Sequence, residues 1–136
     1  MKFFTINELT RSSTALRKKI NNSPTEEVKN NLIELVDKIL DPVREKWGKP
    51  IIVSSGYRCP TLNVAVGGAK NSQHTTGEAA DIHTVEDTVA ENKKLFELIK
   101  SMGLPFDQLI NEYNYNWIHV SYSSQHIPRK QISSIK

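Results

Sequence analysis

Apolar residues recur at helical spacing in two segments of the chain. The first covers residues 28–43 and stops near Gly48, and the second covers residues 89–102 and stops at Gly103. Residues three and four apart share one face of a helix, so each segment predicts an amphipathic helix that ends at a glycine. Pro42 falls inside the first segment. Because proline lacks a backbone N–H, we expect that helix to be kinked or split there.

Four shorter segments have the apolar, β-branched or alternating character of strands. They are residues 51–55, 78–83, 106–113 and 117–122. The last two are joined through residues 114–116 and predict a hairpin. Helices and strands together predict an α+β fold, in which helices pack on one face of a small, mainly antiparallel sheet. The segment 56–72 is polar and has no regular period. It is longer than a simple connection in a compact domain usually is, so it predicts a functional loop.

The length and the cysteine content favour one domain that is stable in the reduced state. The chain has 136 residues, which predicts a single domain over residues 1–136. We expect the polar residues 123–136 to form a loose tail. Cys59 is the only cysteine, so no disulfide can form within the chain. That suits the cytosol, although an extracellular protein stabilised by zinc is also compatible.

Charge and hydropathy narrow the range of partners. The net charge is +3, and no basic stripe with interleaved aromatic residues is present, so we expect no nucleic-acid partner. The first residues contain no apolar run long enough for a signal peptide, and no segment could span a bilayer. We therefore expect a monomer that is made in the cytoplasm and has no stable membrane association.

Two histidines and one aspartate stand in contexts that predict chemistry. His74 lies in a polar loop, whereas Asp81 and His119 each interrupt an apolar strand. A buried carboxylate needs a compensating partner, and a metal ion would be one. Two imidazoles and one carboxylate form the ligand set of an open zinc site. His83 shares the strand face of Asp81 and is either a rival ligand or a supporting group.

These residues resemble the motifs of a known family. Residues 72–81 (SQHTTGEAAD) and 117–119 (WIH) are similar to the S-x-H-x-x-G-x-A-x-D and W-x-H motifs of zinc D-Ala-D-Ala carboxypeptidases and related phage wall-lytic peptidases. Residues 55–63 resemble the S-G-Y-R segment of the same family, and the resemblance runs from about residue 4 to residue 122. It implies a fold shared with lysostaphin-type peptidases and the hedgehog domain.

The resemblance also implies roles for individual residues. The implied zinc ligands are His74, Asp81 and His119. Arg58 matches the family arginine that holds a carboxylate of the peptide substrate, which suits the bidentate geometry of a guanidinium group. Ser72 and Gln73 would line the site or fix its loop by hydrogen bonds.

The residue at the position of the family's general base differs from the family pattern. In several branches an acidic residue stands three positions before the second histidine, but here that position is Asn116, which cannot accept the proton. Glu112 is the best replacement. If the hairpin strands pair so that Glu112 lies directly opposite His119, both side chains point the same way, whereas a slip of one residue would separate them. Glu78, which is nearer the ligand loop, is a weaker candidate.

The resemblance predicts a zinc-dependent peptidase that cleaves a peptide bond in bacterial peptidoglycan stem peptides, either as a D-Ala-D-Ala carboxypeptidase or as an endolysin. An endolysin would act at the cell wall after release by a phage-type route. The alternative is a non-catalytic zinc-containing binding module of the same fold, which Asn116 favours. A phage structural protein that opens the wall during entry is a third option. The sequence leaves the cleaved bond open.

Overall fold

The structure, a computed structural model, describes all 136 residues and contains one five-stranded sheet. Its strands are β1 (Ile51–Ser55), β2 (Ala79–Thr84), β3 (Gln108–Glu112), β4 (Trp117–Ser121) and β5 (Gln131–Ile135). Their spatial order is β1-β2-β4-β3-β5, and only the β3–β5 pair is parallel. The predicted α+β fold with a mainly antiparallel sheet is confirmed.

Six α-helices accompany the sheet. They are α1 (Ile6–Thr10), α2 (Ser13–Arg17), α3 (Glu26–Leu35), α4 (Asp41–Trp47), α5 (Pro60–Ala65) and α6 (Val89–Ser101). A short 3₁₀-helix, Gln73–Thr76, precedes β2. None of these helices combines the length and the apolar character that crossing a bilayer requires.

The first predicted helix has an irregular centre. Between α3 and α4 the backbone stays helical but widens into a π-turn, Val36–Leu40, where the Asp41 N–H donates to the Val36 carbonyl. Pro42 follows directly and has no N–H of its own to donate. The expected disruption at Pro42 is therefore a π-turn, and the helical run ends at Gly48 in the left-handed conformation (φ 76°).

The two faces of the sheet have opposite character. One face joins the helices in a single core of 21 buried residues, to which the central strands contribute Ala80, Ile82, Ile118 and Val120. Side chains alternate along a strand, so the intervening Asp81 and His119 point to the opposite face. The helices thus cover one face, and the other is left for the candidate site.

The C-terminal residues are not a loose tail, and that prediction was wrong. After β4 the chain turns back, and the N–H groups of Lys130 and Gln131 donate to the carbonyls of Phe106 and Asp107. These bonds lead into β5, which pairs in parallel with β3. The strand lies at the sheet edge and is largely exposed on both faces. It therefore lacks the apolar alternation by which a half-buried strand is identified in a sequence.

An ion pair between a buried carboxylate and a half-exposed arginine ties this segment to the rest of the protein. Asp107 is fully buried, and Arg129 donates from Nε and Nη2 to its two carboxylate oxygens at 2.9 and 2.8 Å. The Gln73 Nε2 donates to the same carboxylate at 2.9 Å. Hydrogen bonds from Arg129 lower the pKa of Asp107 to about 2, although burial acts in the opposite direction. The C-terminal segment and the loop before β2 thus share one anchor.

We expect this ion pair to make the stability depend on pH. Because the pKa of Asp107 is lower in the folded chain than in the unfolded chain, its ionisation stabilises the fold above about pH 4, and the contribution is lost as the pH falls towards about 2. Urea unfolding of the metal-free protein should show the stability advantage over Asp107→Asn shrinking across this range. An advantage that stays constant over the same range would contradict this assignment.

Candidate metal centre

Three side chains meet on the face of the sheet opposite the helices. Asp81 on β2 lies directly across the ladder from His119 on β4, and His74 comes from the 3₁₀-helix. The Oδ1 of Asp81 is 3.3 Å from Nε2 of His74 and 3.1 Å from Nδ1 of His119. The possible ligand atoms all lie within 4.8 Å of one another. The structure thus brings together the three side chains that were predicted as ligands.

A hydrogen bond fixes the ring of His74. Its Nδ1 lies 2.7 Å from the carbonyl oxygen of Gly56, which can only accept, so Nδ1 carries the hydrogen. The Nε2 lone pair then faces Asp81, an orientation typical of metal-binding histidines. A side chain at position 56 would clash with the carbonyl of Leu9, so the close approach of this residue to α1 requires glycine. The backbone N–H of His74 donates to the Ser72 Oγ at 3.1 Å.

The charges of this cluster call for a cation. The lone pair on Nε2 of His74 and Nδ1 of His119 both face Oδ1 of Asp81, which is anionic. A proton or a metal ion is therefore needed between this oxygen and the lone pair of His74. Burial raises the pKa of Asp81, but the neighbouring imidazoles of His119 and His74 outweigh it and hold that pKa well below its usual range. The group is therefore a carboxylate. Two imidazole nitrogens and one carboxylate oxygen suit Zn²⁺, and three protein ligands leave a fourth position open.

The other two histidines lie outside this cluster. His83 does share the strand face of Asp81, but its Nδ1 is 2.7 Å from the carbonyl of Thr84 and 3.5 Å from Oδ1 of Asp87. The side chain of His126 is 45% exposed, in the segment after β4. The arrangement therefore favours His74 and His119 over His83 as the imidazole donors.

The cluster lies in an open cleft of about 610 Å³, and Arg58 forms part of its wall. The backbone N–H of Arg58 donates to the carbonyl of His74 at 3.0 Å. Its Nε is buried without a partner, and the guanidinium group forms no salt bridge within the protein. Burial lowers the pKa of Arg58, whereas Asp81 and Glu112 act to raise it. A cation with no paired anion in a cleft is suited to an anionic ligand.

Glu112 reaches the cleft, although the predicted strand register was wrong. Ile110, not Glu112, lies opposite His119, and Glu112 lies opposite Trp117. The turn occupies residues 113–116, of which the first three have positive φ, and it moves the register by two positions. A shift of two preserves the face, so Oε2 of Glu112 is still 3.8 Å from Nδ1 of His119. The Trp117 Nε1 donates to that same oxygen at 3.0 Å.

The loop before β2 is held from two sides. Ser72 and Gln73 both line the cleft, and Gln73 connects the loop to the buried Asp107. Asp107 and its partner Arg129 were not predicted from the sequence. Arg129 also lines the cleft. The only signal was a carboxylate next to apolar residues at the start of a predicted strand, which implies a partner without saying which one.

Comparison with known proteins agrees with this arrangement. The family model described as Peptidase M15 matches residues 2–121. The chain belongs to the Peptidase M15 family. A stretch of 44 residues, 32% of the chain, is 50% identical to the zinc D-Ala-D-Ala carboxypeptidase of Streptomyces albus G and spans 17% of that protein. The resemblance inferred from the motifs is therefore confirmed.

The boundary of the family match divides the cleft of this M15 protein. The cluster of His74, Asp81 and His119 falls within residues 2–121. Arg129 and the whole of β5 follow that range, yet Arg129 lines the same cleft. The C-terminal segment therefore contributes Arg129 and Ile135 to a cleft whose other lining residues lie inside the family match.

We expect the cluster to bind one Zn²⁺ per chain, measured by isothermal titration calorimetry. His119→Ala removes one of three donors and should weaken binding by more than about 100-fold, because loss of a supporting group alone costs 10–100-fold. His83→Ala is the matched control and should retain the affinity. Unchanged affinity in His119→Ala, or an equal loss in His83→Ala, would contradict the proposed ligand set.

Proposed function

We propose that this protein is a zinc-dependent peptidase that hydrolyses a peptide bond in the stem peptides of bacterial peptidoglycan, as a D-Ala-D-Ala carboxypeptidase or an endolysin. The observation that carries the proposal is the meeting of His74, Asp81 and His119 beside the unpaired Arg58. Membership of the M15 family and the partial match to a zinc carboxypeptidase support it.

The two imidazoles and the carboxylate would hold the zinc ion. When bound, zinc would polarise the scissile carbonyl and lower the pKa of a water molecule to about 7. The protein's own contribution is orientation. Gly56 holds the ring of His74, and the β2–β4 ladder holds Asp81 and His119 opposite each other.

Glu112 is the proposed general base. It would accept a proton from the attacking water and deliver it to the leaving amine, so that the hydrolysis balances. The Trp117 N–H binds Oε2 of this carboxylate, while Oε1 has no hydrogen-bond partner within the protein. One oxygen thus fixes the side chain and the other is free to take the proton. Asn116 lies in the turn beyond β3 and does not line the cleft.

Arg58 is the proposed anchor for the substrate. A guanidinium group binds a carboxylate through two parallel hydrogen bonds, which fixes both distance and direction. Its backbone is tied to His74, so a carboxylate bound there would hold the neighbouring peptide bond at a set distance from the cluster. Ser72 and Gln73 would keep the intervening loop in position through their bonds to His74 and Asp107.

The zinc-loaded protein should release new ends from purified peptidoglycan, identified by mass spectrometry and abolished by a chelator. Release of single D-Ala residues indicates a carboxypeptidase, and cleavage within the stem indicates an endolysin. Glu112→Gln should lower kcat by about 100-fold or more, because general base catalysis is worth 10²–10⁴, while the zinc content stays unchanged. The exposed Glu97→Gln is the matched control and should keep full activity.

Three results would each overturn a part of the proposal. If the zinc-loaded protein binds peptidoglycan but produces no new ends, it is the non-catalytic module that Asn116 favours. If Glu112→Gln cleaves as fast as the parent, the base lies elsewhere. Chelator-resistant cleavage would exclude the metal from the reaction.

A further inference from the structure

Arg129 is a second arginine in the cleft wall, and the proposed mechanism gives it no role. It lies in the segment between β4 and β5, beyond the residues that match the M15 family. The cleft that contains the metal cluster and Arg58 is also lined by Arg129. A ligand bound in this cleft would therefore lie near both Arg129 and the metal cluster, although Arg129 belongs to a part of the chain that the family match does not cover.

The geometry of Arg129 leaves one edge of its guanidinium group open. Nε and Nη2 donate to the two carboxylate oxygens of Asp107, at 2.9 and 2.8 Å, while Nη1 has no partner in the protein. The side chain of Arg129 is 54% exposed, whereas that of Asp107 is 1% exposed. A buried carboxylate thus holds one edge of a rigid, planar donor, and the opposite edge is directed away from it.

This fixation matters for recognition. A free surface arginine must lose side-chain entropy when it binds a ligand, and this loss weakens the binding. Asp107 has already restricted Arg129 in the ligand-free protein. Asp107 also balances its charge, so the remaining N–H groups offer charge-assisted hydrogen bonds without adding net positive charge to the cleft.

We propose that Arg129 is a specificity-determining residue that binds a second carboxylate of the substrate. The cleft would then select peptides with two carboxylates, one bound by Arg58 and the other by Arg129. This inference rests on the proposed function. Asp107 acts through Arg129 and is a positioning residue. A purely structural Arg129 would stabilise β5 without affecting which peptides bind.

Binding of matched peptides tests the proposal without turnover. The probes are two synthetic stem-type peptides that share a free C-terminus and differ in one internal D-Glu carboxyl group, which is free or amidated. The protein is zinc-loaded Glu112→Gln, and Kd is measured by calorimetry. We expect the free carboxylate to bind about tenfold more tightly, the lower end of the range for hydrogen bonds to charged groups.

Three variants in this background separate recognition from folding. Arg129→Gln should reduce the preference to less than about twofold, because it removes the charged donor. Asp107→Asn/Arg129→Gln should do the same without leaving a buried carboxylate unpaired. Arg17→Gln removes the same group from an exposed position on α2 and should keep the tenfold preference.

A parent protein that does not distinguish the two peptides, or binds neither, would overturn the inference. A preference that survives in the double variant, or disappears in Arg17→Gln, would overturn it as well. The proposed function fails separately, when the unmodified protein does not cleave peptidoglycan. A preference that depends on Arg129 in a protein without cleavage would then still support a binding role for the second arginine.

Discussion

The carboxylate of Asp81, buried between two imidazoles, is the constraint on which the rest of the site depends. Its neighbours Ala80 and Ile82 belong to the core, so the alternation of the strand directs the carboxylate to the opposite face. The β2–β4 ladder then sets His119 directly across from it. A buried anion in this position is strongly unfavourable without a cation, so the folded protein is stabilised by a positive charge at this point.

The segment that follows β1 fixes the position of the groups around this carboxylate. Gly56 supplies the acceptor for the His74 ring, and the next two residues bind the rest of the protein through their backbone. The Tyr57 N–H donates to the carbonyl of Leu9 in α1, and the Arg58 N–H donates to the carbonyl of His74. Displacing α1 would therefore disturb a metal-binding side chain and the proposed substrate anchor together. The N-terminal helix thus contributes to the site although it lines no part of the cleft.

The sequence predicted what local patterns encode. The three ligand positions came from motifs, and the face of Glu112 came from strand parity, which survived an error of two in the register. That error arose because three consecutive non-glycine residues, 113–115, adopt positive φ. Positive φ is uncommon for residues other than glycine, so their residue types do not predict this turn. Strand β5 was missed because it is exposed on both faces. The Asp107–Arg129 pair was missed because the partner of a buried charge is chosen by the tertiary fold.

Zinc K-edge X-ray absorption of the zinc-loaded protein tests the central claim most directly. We expect two imidazole nitrogens at about 2.0–2.1 Å, with the remaining ligands being oxygens at about 2.0–2.2 Å and no sulfur. One oxygen would come from Asp81 and another from an exchangeable solvent molecule. A sulfur ligand at about 2.3 Å, which only Cys59 or a methionine could supply, or a third imidazole, would contradict the convergence of His74, Asp81 and His119 on one open metal site.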